Sequence, residues 1–151
     1  MNIIHGCFGE ALVRGDVGAI GHQANCFNTM KSGAAATVRK LFPEAIEADL
    51  QTVLGSKLKL GTFSVGETSY GPVFNLYGQY NFGYDGRQYT DYHALGLALH
   101  QMQQECRNRC IDTVGFVKLG CGLAGGEWGV VGPMIERAFP DTIFTVNIYV
   151  K

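Results

Sequence analysis

Residues 120–126 read Gly120-Cys121-Gly122-Leu123-Ala124-Gly125-Gly126. They lie between an apolar run rich in β-branched residues, Thr113–Leu119, and a segment of helical composition from about Trp128 to Phe139, with Pro133 inside its first turns. This order of strand, glycine loop and helix constrains the fold more than any other feature of the chain. Glycine weakens helices and strands, yet the chain carries 21 glycines, about twice the average share. A glycine string in this position lets successive N–H groups turn toward one point, and the following helix adds partial positive charge there. A second unit of the same order spans Ala19 to Phe42. The strand Ala19–Ala24 runs into a polar loop, Asn25–Gly33, and then a helix from Ala34 to Phe42 that Pro43 halts.

The rest of the chain continues the alternation. Ala11–Val17 reads as a short strand closed by a turn. Pro43 fits the first turn of a helix from Glu44 to Leu54, with Gly55 as its C-cap. Thr62–Gly66 and Val73–Tyr77 read as strands around a turn at Tyr70-Gly71-Pro72. A glycine- and aromatic-rich loop, Gly78–Tyr89, precedes a long helix capped by Thr90 or Asp91 and reaching about Arg109. Leu95, Leu99 and Met102 lie on one face of it. The last strand is Thr142–Val150. Alternating strands and helices predict an α/β fold, a three-layer α/β/α sandwich around a mixed central sheet. Residues 1–151 form one domain on this reading. In such folds ligands bind beyond the carboxyl ends of strands, where both glycine-bearing loops lie.

Composition removes several function classes. Hydrophobic residues make up 46% of the chain and charged residues 17%, which excludes disorder. The formal charge is −1, with 12 basic against 13 acidic residues. Sequence-independent nucleic-acid binding needs a basic excess and is not expected. No apolar run approaches the ~20 residues of a membrane span, so no membrane partner is expected. The N-terminal residues lack the pattern of a secretory signal. Cys7, Cys26, Cys106, Cys110 and Cys121 contain no C-x-x-C pair, which points to reduced thiols and a cytoplasmic location. Cys106 and Cys110 read as one helix face rather than, with His100, a metal site. No metal or cofactor is expected.

The two loops suggest different chemistry. The 120–126 loop suits a phosphate or diphosphate, or is a tight turn without a ligand. It is not a Walker loop, because no Gly-Lys-Ser/Thr follows, and it is not a dinucleotide fingerprint at the first strand. The first loop gathers His22, Gln23, Asn25, Asn28 and Thr29. Such amides, imidazole and hydroxyls suit a ribose or other polyol, or an ordinary polar turn. Cys121 at a helix N-terminus could be a thiolate nucleophile, but no histidine lies near it in sequence.

Taken in order, Gly15-Asp16-Val17, Ile20-x-His22-x-x-Asn25, Met30-x-x-Gly33-Ala34-Ala35 and Leu119–Gly126 followed by Trp128 resemble a macro domain. More narrowly they resemble the Appr-1″-p-processing branch, which includes terminal ADP-ribose protein glycohydrolases and ADP-ribose 1″-phosphate phosphatases. The resemblance covers nearly the whole chain. It implies ADP-ribose lying across the top of the sheet. Asp16 would accept from the adenine amino group and the Val17 backbone would donate to a ring nitrogen. Gly120, Cys121, Gly122, Leu123, Ala124 and Gly125 would wrap the phosphates. Asn25 would hold the distal ribose, Gly33 and Ala34 would permit close approach, Gln79 and Tyr80 would close over that ribose, and Tyr149 would flank the adenine.

The glycohydrolase branch uses a lysine in the loop after the central strand and an aspartate after Gly-Cys-Gly-Leu. This chain has Ala124 at the aspartate position and no lysine between Leu76 and Asp91, so a lysine Schiff-base route is not supported. His22, three before Asn25, is instead the catalytic acid/base expected from the phosphatase-like members. Asp85, Asp91 and His93 are secondary candidates. The expected function is an ADP-ribose-binding domain that removes phosphate from ADP-ribose 1″-phosphate. The alternatives are removal of ADP-ribose from a modified protein or nucleic acid, and a non-catalytic ADP-ribose reader. The expected partners are ADP-ribose or its 1″-phosphate and an ADP-ribosylated macromolecule.

Overall fold

The computed structural model describes residues 1–151 and is organised by a six-stranded sheet. Its strands are β1 (Asn2–His5), β2 (Ala19–Ala24), β3 (Phe63–Thr68), β4 (Gly71–Tyr77), β5 (Thr113–Phe116) and β6 (Thr145–Val150). They lie in the order β1-β6-β5-β2-β4-β3. All neighbours are parallel except β3 and β4, which pair antiparallel. The helices are α1 (Phe8–Arg14), α2 (Ala34–Leu41), α3 (Pro43–Leu50), α4 (Tyr92–Asn108) and α5 (Trp128–Ala138). A 3-10 turn covers Lys57–Lys59.

The sheet separates two apolar layers, as a parallel sheet covered on both faces requires. Phe74, Leu76, Phe116 and Ile148 face Leu95, Leu99 and Met102 of α4 and Val131 and Ile135 of α5. Ile20, Val73 and Tyr149 face Phe8 and Leu12 of α1, Val38 of α2 and Ala45 of α3. Val73, Phe74, Asn75 and Leu76 alternate between the faces with the strand period of two. The mixed α/β/α sandwich matches the expected architecture.

Several boundaries differ from the sequence reading. Ala11–Val17 is not a strand. It is the second half of α1 and the turn that ends it, with Gly15 at φ 79 and Asp16 N donating to Ala11 O at 2.9 Å. Phe8, Ala11 and Leu12 are buried together, the helical i, i+3, i+4 spacing. The strand before it, β1, is largely exposed and so carries little apolar signal. Helix α3 stops at Leu50 rather than Leu54, because Leu50, Val53 and Leu54 are all exposed. Gly55 does not cap it: at φ 76 its N–H reaches across to Cys26 O at 2.7 Å. Strand β4 already begins at Gly71, so the hairpin turn lies at Ser69-Tyr70. Strand β5 ends at Phe116 rather than Leu119. Strand β6 starts at Thr145, because Ile143 and Phe144 turn back onto Pro140 O. Asp91, not Thr90, caps α4, its Oδ1 accepting from Ala94 N at 3.0 Å.

Candidate functional site

A cavity of about 680 Å³ opens at the carboxyl ends of β1, β6, β5, β2 and β4, where a parallel sheet places its ligand sites. One end is apolar and aromatic, walled by Gly6, Cys7 and Phe8 after β1 and by Tyr149 of β6. The other end is polar, walled by Asn25, Thr29 and Gln79, with Phe82–Tyr84 above. Between them the 120–126 loop faces Gly33, Ala34 and Ala35 at the start of α2.

The middle is built from bare backbone. Gly125 N donates to Gly122 O at 3.0 Å, Gly126 N to Gly120 O at 2.7 Å and Cys121 N to Lys118 O at 3.2 Å. These bonds curl the loop and leave the N–H groups of Gly122, Leu123 and Ala124 without a protein acceptor. The curl needs glycine. Gly120 (φ 66) and Gly125 (φ 74) adopt left-handed backbone, and a Cβ on Gly126 would sit 2.6 Å from Gly120 O. A Cβ on Gly122, by contrast, would meet nothing within 4 Å. Across the cavity Gly33 (φ 61) precedes α2, and the N–H groups of Ala34 and Ala35 have no acceptor and no side-chain cap, Ala36 N already donating to Gly33 O at 3.1 Å. Two sets of free donors therefore face one space. The charged residues of the wall are Lys31, Lys118 and Lys151, with no aspartate or glutamate among the lining residues, although the whole chain is at −1.

The polar end is held from below. Asn25 Oδ1 accepts from Phe27 N at 2.8 Å and its Nδ2 donates to Thr29 Oγ1 at 2.7 Å. Lys59, buried under this loop, donates to Cys26 O at 3.1 Å and to Asn28 Oδ1 at 2.6 Å. Burial pushes its ammonium below the usual lysine range. Asp49, also buried, accepts from Tyr77 OH at 2.6 Å, and burial raises its carboxyl above the ordinary range.

Of the candidate site residues singled out in the sequence, Gln23, Asn25, Thr29, Gly33, Ala34, Gln79, Gly120, Gly122, Leu123, Ala124 and Tyr149 line this one cavity. The others do not. Asp16 and Val17 precede β2 and so lie at the opposite end of the sheet. Asp16 pairs with Arg14 Nε at 3.0 Å, and Val17 is core. Cys121 turns its thiol to Leu119 O at 3.3 Å, with burial raising its pKa above the ordinary thiol range. Gly125 packs under Arg87 O. Tyr80 turns away and donates to Gly55 O at 2.8 Å. Asp91 is a helix cap, and Asp85 pairs with Arg87 and accepts from Tyr89 OH at 2.8 Å. Neither they nor His93 line the cavity.

His22 is the principal correction. It is 0% exposed and does not line the cavity. Asn75 Nδ2 donates to Ala45 O at 2.9 Å and to Ser64 Oγ at 3.0 Å, so Asn75 Oδ1 is left to accept. His22 Nε2 carries the proton and donates it to that oxygen at 2.6 Å, while Nδ1 has no partner. Desolvation pushes the imidazole down to about 4. The strand period turns residue 22 into the α2/α3 layer, away from the cavity wall, so the structure does not support its acid/base role.

One feature was missed. The wall at Gly6–Phe8 depends on β1 and α1, neither of which the sequence reading contained. Gln23, read in the sequence only as one polar group of the first loop, also braces the cavity wall. Its Nε2 donates to Gln79 Oε1 and to Thr90 Oγ1, both at 2.9 Å, and Thr90 donates on to Gly120 O at 2.8 Å. A Cβ on Gly78 would lie 2.5 Å from Gln23 Oε1. One amide thus ties the ends of β2 and β4, the start of α4 and the glycine loop. A double-mutant cycle of Gln23→Leu and Thr90→Val, read by urea denaturation, should give a coupling of about 1 kcal/mol.

No protein-family model matches the chain. It is 34% identical over 137 residues to an uncharacterized 17.5 kDa protein from the tk-vs intergenic region of Enterobacteria phage T4, covering 82% of this chain and 86% of that protein. Among solved structures it is similar to the macrodomain of Thermus aquaticus DarG, with a TM-score of 0.78, 17% identity, and 99% of this chain and 97% of that one covered. It is also similar to Thermosipho africanus DarTG in complex with ADP-ribose, with a TM-score of 0.76, 18% identity, and 99% of this chain and 41% of that one covered. Likeness at these identities establishes the fold.

Proposed function

Because the chain belongs to the family of the phage T4 17.5 kDa protein and has the macro-domain fold, we propose that its 1–151 span is one macro domain whose cavity binds ADP-ribose. The observation that carries this reading is the pair of facing donor sets, Gly122–Ala124 and the start of α2, in a wall whose charged residues are all lysines. A diphosphate presents two adjacent anions to such a space, and charge-assisted hydrogen bonds from backbone N–H groups are the strong kind. The flanking ends suit the rest of the ligand. Tyr149 and Phe8 offer a face for a base, and Asn25, Thr29 and Gln79 offer donors and acceptors for a ribose. The binding of ADP-ribose by a structurally similar DarTG supports the same assignment.

Among the proposed activities, binding without turnover fits best. Hydrolysis at the distal ribose needs a group to move a proton in reach of the reacting oxygen. The cavity wall contains no histidine, aspartate or glutamate, and His22 is sealed beneath it. The domain therefore acts as a reader of ADP-ribose, free or carried on a macromolecule. Titration calorimetry should show one ADP-ribose per chain. Incubation with ADP-ribose 1″-phosphate should release no phosphate above the uncatalysed rate. Phosphate release that survives purification would overturn the reader assignment, and silent calorimetry would overturn ADP-ribose binding.

A further inference from the structure

The apolar end of the cavity points to a preference in the nucleobase, an inference that rests on the ADP-ribose reading. His5 pairs with Val150, and Gly6 N donates to Val150 O at 2.9 Å. Gly6 is therefore opposite Lys151, and Cys7 follows it at the rim of β1 and β6, lining the cavity with Tyr149 and Lys151. Tyr149 is 5% exposed, and its OH is occupied by Asn147 Nδ2 at 3.2 Å. The side-chain polar groups at the β1/β6 rim are a thiol and an ammonium, with the Thr37 hydroxyl on the α2 side beside Gly9. A thiol accepts weakly and an ammonium only donates.

The edges of the purines differ in what they ask of such a wall. Adenine offers an acceptor at N7 and a donor at its 6-amino group, whereas a 6-keto purine offers acceptors at both N7 and O6. An amino group brought against this wall finds no acidic side chain, because no lining residue is an aspartate or glutamate. Its nearest acidic neighbour in the expected motif, Asp16, is at the far end of the sheet and bound to Arg14. A carbonyl at the same place meets donors. We propose that the base end does not select adenine and accepts a 6-keto purine at least as well, with Cys7 as the residue that sets this specificity.

Calorimetry with ADP-ribose and its hypoxanthine counterpart, inosine diphosphate ribose, tests the proposal on the whole chain. The wild type should bind the hypoxanthine ligand at least as tightly as ADP-ribose. A preference for ADP-ribose of about tenfold, the size of one good hydrogen bond to a charged group, would overturn the inference while leaving ADP-ribose binding in place. If neither ligand binds, the nucleotide reading itself fails. Cys7→Asp should shift the ratio about tenfold toward ADP-ribose. An unchanged ratio in a folded Cys7→Asp protein would remove Cys7 from the base edge.

Discussion

Gly122→Glu should abolish ADP-ribose binding and leave the fold intact. A Cβ at this position meets nothing within 4 Å, and the backbone there is not left-handed. The substitution therefore costs the folded chain little, and its side chain enters the cavity beside the free N–H groups of Leu123 and Ala124. A carboxylate in that place fills the anion site and repels the diphosphate. Affinity should fall by roughly a hundredfold or more, about 3 kcal/mol. Gly126→Ala provides the contrast. Its Cβ would press against the Gly120 carbonyl at 2.6 Å, so it should destabilise the chain by about 1–3 kcal/mol through overpacking. Calorimetry and thermal denaturation of both variants separate the two glycines: one is required by the ligand and the other by the loop. Retained binding in Gly122→Glu would remove the glycine loop from the ligand site.

The sequence made the core legible where its signals were periodic. Leu95, Leu99 and Met102 announced α4, and the glycine string fixed the turn after β5. The cavity's middle followed from those glycines, because their placement is a backbone requirement visible in residue identity. What stayed hidden depends on which way a strand faces. His22 and Gln23 are adjacent polar residues on β2, and composition treats them alike. The alternation of the strand sends His22 into the α2/α3 layer and Gln23 to the cavity wall. A shift of one residue exchanges their roles, and an interior run such as Ala19–Ala24 does not reveal its phase. Asp16 misled for a related reason. Gly15-Asp16 closes α1 below the sheet, whereas the cavity needs the chain leaving β1 at Gly6–Phe8, after a strand too short and exposed to be read.

The burial of His22 predicts how stability responds to acid. Free imidazole takes a proton near 6.5, but in the folded chain desolvation holds the group neutral down to about 4. Between those values the unfolded chain binds the proton that the native chain refuses. Stability therefore falls as pH drops from 6.5 toward 4 and is unaffected by this group above that window. The interval corresponds to about 3 kcal/mol, large against the 5–15 kcal/mol typical of whole domains. His22→Gln keeps an amide donor for Asn75 Oδ1 and removes the titration. Asp49 and Glu67 titrate in both proteins and cancel in the comparison. Urea unfolding at pH 7 and at steps down to pH 4 should show the variant gaining about 3 kcal/mol relative to wild type across the window. At pH 7 its affinity for ADP-ribose should match wild type, because the ring lies outside the cavity wall. Parallel pH curves would mean that His22 takes up its proton in the folded chain as readily as in the unfolded one, and a loss of ADP-ribose affinity at unchanged stability would return it to the site.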